Sequence, residues 1–269
     1  MIGRRYTGRV IALFPTRTVA LELFGFAIHW YGILYLCAFL LAFFLLPRLQ
    51  RFRNLSLSTD DWSAVLTACI LGVLLGGRLG YVLFYEPLYF LRHPLQMFAV
   101  WNGGMSSHGG FAGVGIALLF VVRRKHIPLL PLLDILVIPA AIGLALGRIG
   151  NLINGELFGT ITTLPWAVQL PGVPGVRHPV QLYAFTKDLF IALVCVLHLR
   201  RMQAPPYGRT FAYFLMLYAV LRFTAEYFRA QQYPVWQVAG IALSRGQLLT
   251  IPFLLLGAGV WVWIRTKTK

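Results

Sequence analysis

The sequence predicts an all-α polytopic membrane protein of about seven transmembrane helices, with the N-terminus outside and the C-terminus cytoplasmic. Three observations carry this. First, 58% of the 269 residues are hydrophobic and only 12% are charged, about half the charged share of a soluble domain, and the mean hydropathy is +0.72. Such hydrophobicity also excludes a disordered chain. Second, seven apolar stretches approach the roughly 20 residues needed to cross a hydrocarbon layer of about 30 Å. Third, the charge is lopsided, with 24 Lys and Arg against 8 Asp and Glu, and the basic residues gather between alternate stretches. In a soluble chain that excess would point to nucleic acid. Here it orients helices and attracts anionic lipid, so no nucleic-acid partner is expected.

The chain begins with a basic segment, 1–18, holding Arg4, Arg5, Arg9 and Arg17. It has no apolar core for a cleavable signal peptide and reads as an arm on the outer membrane surface. Span one, 19–46, ends at Arg48, Arg51 and Arg53. Span two, 62–85, opens into an outer loop, 86–105, rich in Pro, Gly and aromatics. Span three, 106–122, is short and Gly-rich and stops at Arg123, Arg124 and Lys125. Span four, 129–148, runs into a second outer loop, 149–179. Span five, 180–199, is followed by Arg200, Arg201 and Arg209. Span six, 210–228, carries charges of its own. Span seven, 246–264, leads to Arg265, Lys267 and Lys269. These four clusters place twelve basic residues on one side. The other side holds Arg92, Arg177, Arg229 and Arg245 and the four N-terminal arginines. The richer side is cytoplasmic by the positive-inside rule. Residues 19–269 read as a single transmembrane domain, without internal repeat or linker. Cys37, Cys69 and Cys195 sit far apart in apolar runs and read as packing residues.

Four basic residues remain, all within or at the ends of spans: Arg78, Arg148, Lys187 and Arg222. An arginine near a bilayer centre costs about 2.5–3.5 kcal/mol, and the acids nearby, Asp134, Glu156, Asp188 and Glu226, are too few to neutralise them all. The three arginines, Arg78, Arg148 and Arg222, therefore mark a polar cavity that binds an anion. Tyr218, Arg222, Glu226 and Arg229, at i, i+4, i+8 and i+11, share one helix face. Glu226 can pair with Arg222 or Arg229, leaving a guanidinium whose planar fork suits phosphate. In GLALGRIGNLINGELFG (143–159) the glycines allow close backbone approach. Packing alone does not account for Arg148, Asn151, Asn154 and Glu156 in the same run. His108, in the Gly-rich segment 102–115, is an imidazole able to accept a proton near pH 7. His178 is a secondary candidate. No metal-ligand spacing, GxSxG or phosphate loop occurs, so neither metal nor other cofactor is expected.

Together HWYG (29–32), GGRLGYVLFY (76–85), WNGGMSSHGG (101–110), GRIGNLINGELFG (147–159), HPVQLY (178–183), LRFTAEYFR (221–229) and SRGQLLTIP (244–252) resemble the bacterial prolipoprotein diacylglyceryl transferases over most of the chain. The resemblance implies a multi-pass protein of the bacterial cytoplasmic (inner) membrane acting in lipoprotein biosynthesis. It implies transfer of the diacylglyceryl group of phosphatidylglycerol to the lipobox cysteine of a preprolipoprotein, forming a thioether and releasing glycerol phosphate. It places Tyr31 by the lipid cavity and makes His108 the position proposed as base or as essential for activity. Arg148, Asn151, Glu156 and Gly159 fall in the signature loop, and Tyr218, Arg222, Glu226 and Arg229 in the polar stripe of span six. Arg78, inside span two, joins the substrate-binding set. The chemistry fits independently. A thiol of ordinary pKa about 8.5 needs a base or a positive field, and a departing phosphate needs cations. The expectation is that Arg148 and Arg222 hold the phosphate while His108 or a neighbour takes the thiol proton. The chain departs from the family at Ala184, where an acid is usual, at Val180 for Ser, and at Asn102 for Asp, which bears on acceptor range and neighbouring ion pairs. The competing readings are another phospholipid-using membrane transferase with a different acceptor, and a lipid or solute transporter.

Overall fold

The computed structural model describes residues 18–23, 26–100, 103–170, 172–231, 234–238 and 240–267. Residues 1–17 of the basic arm and Asn102 therefore lie outside the described residues, as does the side chain of His108. Among the described residues, seven long helices follow the predicted spans: α1 (Trp30–Leu49), α2 (Thr59–Phe84), α4 (Ser107–Arg124), α5 (Leu129–Ile153), α6 (Val180–Arg201), α7 (Arg209–Ala225) and α8 (Arg245–Thr266). A short helix α3, Pro87–Arg92, lies in the first predicted outer loop. Five helical segments are long and apolar enough to cross a membrane: α1 with its following turn, α2, α5, α6 and α8. The α4 and α7 helices, of 18 and 17 residues, are not among them.

Two expectations are corrected. Span one does not begin at residue 19. Residues Val19–Leu23 (β1) and Phe26–His29 (β2) pair as an antiparallel hairpin, and the helix starts only at Trp30. Glu22 lies in this stretch, and a carboxylate deep in a span is costly. The chain is also mainly helical rather than all-α. Besides β1–β2, two more two-stranded hairpins occur among the described residues. These are β3 (Val168–Gln169) with β4 (Val176–Arg177), and β5 (Trp236–Val238) with β6 (Ile241–Leu243). Connecting backbone still has to satisfy its N–H and C=O groups, and short ladders do so.

The chain divides into two compact units, with boundaries inside α1 and α5. The unit spanning 42–132 is built on α2 against α4. Capping starts α2: Ser58 Oγ accepts from the Asp61 N–H, and the Asp61 carboxylate accepts from the Ser58 N–H. Lys125 Nζ then meets Asp61 at 2.6 Å. The α2 helix has two contrasting faces. Leu71, Leu75, Leu79 and Leu83 are exposed, Leu75 and Leu83 both at 61%, as suits a lipid-facing stripe. One residue on, Gly72, Gly76 and Gly80 meet α4. A Cβ at Gly76 would stand 2.7 Å from Gly113 Cα, and one at Gly80 2.8 Å from Gly109 Cα. Backbones this close leave no room for a methyl. Gly76→Val should therefore separate α2 from α4 at a cost of about 1–3 kcal/mol, seen as a lower thermal midpoint in detergent. A midpoint equal to wild type would refute the close packing.

The other unit, 1–41 with 133–269, packs α6 against α7 and α7 against α8 and includes the rest of α5 from residue 133 on. The fully buried Asp134 on α5 caps α7, accepting from the Gly208 and Phe211 N–H groups at 2.8 and 2.9 Å. That acid is committed to structure, which leaves fewer counter-charges for the buried arginines. Gly257 lets α8 close on α7, since a Cβ there would lie 3.0 Å from the Ala212 carbonyl.

Candidate active site

The last two turns of α5 carry Arg148 and Asn151, so the signature run starts as helix and only then turns. Tyr31, at the start of α1, lays its ring over Gly150; a Cβ there would come within 2.8 Å of Tyr31 Cε2. Tyr35, one turn on, donates to the Tyr31 hydroxyl at 3.4 Å. A directional chain of hydrogen bonds leaves α5. Arg148 Nη1 donates to Asn151 Oδ1 at 3.4 Å, Asn151 Nδ2 to Glu156 Oε2 at 3.3 Å, and Asn154 Nδ2 to Glu156 Oε1 at 3.0 Å. The turn that permits this uses Gly155 at φ +69, a left-handed conformation natural to glycine. Buried Gln181 on α6 donates to the Glu156 carbonyl at 2.7 Å.

Beyond Glu156 the loop is strapped to the end of α7. Gly159 bridges Arg229 in antiparallel pairing, with Thr160 N–H donating to the Phe228 carbonyl and Ala230 N–H to the Phe158 carbonyl. Gly159 is needed because a Cβ would fall 2.7 Å from His178 Cβ. Arg177 donates to the Gly159 carbonyl at 2.9 Å. His178 Nδ1 lies 3.2 Å from Tyr183 Oη, which accepts from Trp166 Nε1 at 2.7 Å.

Two acid-centred triads of charge stand at the core of this unit. In the first, Lys187 and Asp188, both buried on α6, are paired, and Asp188 Oδ2 lies 3.9 Å from Arg148 Nε. In the second, Glu226 Oε2 lies 2.5 Å from Arg222 Nη1, and Glu226 Oε1 lies 3.8 Å from Arg229 Nη1. Glu226 thus pairs with both arginines where the spacing allowed either one. It does so from a 3-10 turn, Glu226–Phe228, that succeeds α7. Tyr218 joins the triads. Lys187 Nζ sits 4.6 Å over its ring. Burial pushes the Arg229 guanidinium down from its ordinary value, with Arg222 and Arg148 adding to the effect and Glu226 opposing it; it stays protonated at neutral pH. Each triad holds two cations and one acid. The pair of triads therefore carries a net charge of +2 in a poorly hydrated place.

Arg78 and His108 belong to the other unit. Arg78 Nε donates to the Met97 carbonyl at 2.8 Å, and its terminal nitrogens donate to the carbonyls of Gln96, Gly103 and Gly104. Its plane lies over Phe90. These bonds tie down the loop between α3 and α4. His108 is the second residue of α4. Among the described residues, no three His, Cys, Asp or Glu side chains stand together as a metal site.

Lys187, Asp188, Tyr35, Gln181 and Gly246 were not assigned roles from the sequence. Gly246, in the first turn of α8, abuts the Glu226 carboxylate, and a Cβ there would lie 2.6 Å from Oε1. Gly246→Ala should displace that carboxylate and lower activity about 10–100-fold in a folded protein. Wild-type rates would contradict this role. The signal was present in SRGQ, but it is indistinct from ordinary helix-packing glycine.

A family model described as prolipoprotein diacylglyceryl transferase matches residues 18–263. The chain is 45% identical over 243 residues to a protein of Geobacter sulfurreducens, covering 89% of this chain and 92% of that one. It is 44% identical over 253 residues to one of Methylibium petroleiphilum, covering 91% and 95%. It is 40% identical over 261 residues to one of Paracidovorax citrulli, covering 93% and 96%. All three carry the name phosphatidylglycerol–prolipoprotein diacylglyceryl transferase.

Proposed function

The chain belongs to the prolipoprotein diacylglyceryl transferase family, and from that premise we propose that its paired charge triads hold the phosphate of phosphatidylglycerol while a lipobox cysteine thiol attacks the adjoining glyceryl carbon. The enzyme transfers the diacylglyceryl group of phosphatidylglycerol to a prolipoprotein in lipoprotein biosynthesis. In the reaction the thiol S–H breaks and an S–C thioether forms. The glyceryl C–O bond breaks with its electron pair going to oxygen, and glycerol phosphate leaves. The thiol proton passes to a base, which we assign to His108.

One observation carries the phosphate assignment: the net charge of +2 on the two triads. The diester of phosphatidylglycerol bears one negative charge and the departing monoester develops two. A fixed double positive charge therefore complements the transition state and product better than the ground state. Arg148 and Arg222 supply planar donor forks, and Arg229 adds to the field. Tyr31, Tyr218 and Asn151 fill the substrate-binding roles around them, with Glu156 and Gly159 fixing the loop. Arg78 acts as the anchor of the loop preceding α4.

We extend the five apolar segments to seven spans by adding α4 and α7. This sets the N-terminus outside and the C-terminus in the cytoplasm of the bacterial inner membrane, with residues 19–269 acting as one transferase domain. Basic clusters at the ends of α4 and α6 support that orientation. The test is direct. Purified enzyme, phosphatidylglycerol labelled in its acyl chains and a lipobox peptide should give label on the peptide cysteine. Label on another acceptor, or none on any, would overturn the proposal.

A further inference from the structure

We infer that the Lys187–Asp188 pair is a positioning device for Arg148, in which Lys187 keeps the arginine's charge available to an anionic ligand. This rests on the reading of Arg148 as a phosphate ligand.

Asp188 is fully buried and approaches Arg148 Nε. An aspartate placed there alone would form a simple buried ion pair with Arg148 and cancel it, leaving nothing for phosphate. Lys187 changes the balance. It too is buried, it is ion-paired to Asp188, and its Nζ is seated over the Tyr218 ring. Adjacent residues on a helix do not face the same way, so the lysine stem must turn back to reach its neighbour. With Asp188 already neutralised at Oδ1, its Oδ2 stands 3.9 Å from Arg148 Nε, a separation that orients more than it bonds. Asn151 Oδ1 receives Nη1, and Nη2 has no partner among the described residues. The guanidinium is thus aimed from two sides and keeps a charged edge.

The second triad has the same composition, since Glu226 between Arg222 and Arg229 also leaves one net positive charge. The arrangement further accounts for Ala184. Where the family resemblance leads one to expect an acid, this chain has a buried alanine, and Asp188 follows one turn later on the same face of α6. The carboxylate is supplied from the next turn, with its own counter-ion beside it.

The test uses the full chain in detergent micelles with phosphatidylglycerol and a lipobox peptide. It reads kcat, KM and inhibition by added glycerol phosphate. Lys187→Met should lower kcat about 10–100-fold, weaken glycerol phosphate inhibition about tenfold, and change KM for the peptide little. Lys187→Arg should retain activity. The double variant Lys187→Met with Asp188→Asn should recover most of the lost kcat, because Arg148 is again uncancelled. A purely structural ion pair would leave the inhibition constant of the folded fraction unmoved. Unchanged kcat and inhibition in Lys187→Met, or a double variant no better than the single one, would overturn the inference. Should Lys187→Met not fold, Asp188→Asn decides: inhibition held or tightened supports the device, and weakened inhibition refutes it. Arg148→Ala separates the two levels. If it leaves glycerol phosphate inhibition intact, the phosphate reading fails and this inference with it. If it weakens inhibition while Lys187→Met does not, the positioning role alone fails.

Discussion

Arg222→Ala should lower kcat by on the order of a thousandfold, in a protein that still folds and inserts. Arg222 is on α7 with its side chain 16% exposed, so the guanidinium is accessible while its Nη1 is fixed by Glu226. Removing it takes the paired triads from +2 to +1. That still matches the single charge of the diester but no longer the developing dianion. The loss therefore falls mainly on kcat, and KM for phosphatidylglycerol moves less. Arg222→Lys keeps the charge but gives up the planar fork, and about tenfold of the activity should remain lost. Steady-state transfer of labelled diacylglyceryl, alongside gel filtration to establish folding, measures both. Full activity in Arg222→Ala would refute the assignment.

Glu226→Gln is expected to damage stability and rate together. Glu226 is 4% exposed, sits between Arg222 and Arg229, and is confined by Gly246. Glutamine preserves the shape and removes the charge, which leaves two neighbouring guanidiniums without a counter-ion. Breaking a buried pair costs about 3–5 kcal/mol. Since the arginines retain 16% and 20% side-chain exposure, about 2–3 kcal/mol is expected here. Thermal unfolding in detergent reads the stability. The rate should fall about a hundredfold, because Arg222 loses its aim. A variant as stable as wild type, with full activity, would show that Glu226 does not organise the arginines. A stable but inactive one would assign it a direct catalytic role.

Much of this was readable before any coordinates. Apolar runs flanked by arginine clusters located the long helices, five of which are long and apolar enough to cross a membrane, because a bilayer accepts little else. Arg222, Glu226 and Arg229 stood out because a charge inside a span is costly and their spacing follows the helical period. The β1–β2 hairpin was missed because, Glu22 and His29 apart, its strands are apolar like the span they precede, and a long apolar run hides the one carboxylate that marks it off. Lys187 and Asp188 were visible as charges in span five. Their partner Arg148 lies about forty residues earlier, and no periodicity links α5 to α6. Gly246 and Gln181 were quoted within motifs without a role, since each acts on a group from a distant segment.

The sequence by itself determined the class of molecule, the approximate course of its helices and the residue types we propose for a phosphate. Composition and helical period are local properties, and the cost of placing charge in hydrocarbon is large enough to be read from them. Only the tertiary structure decided how the charges are shared: one acid between two cations, twice, with Tyr218 among them. That distribution depends on which helices pack and on the few ångströms left by Gly150, Gly159 and Gly246. Such distances are set by the fit of side chains far apart in the chain.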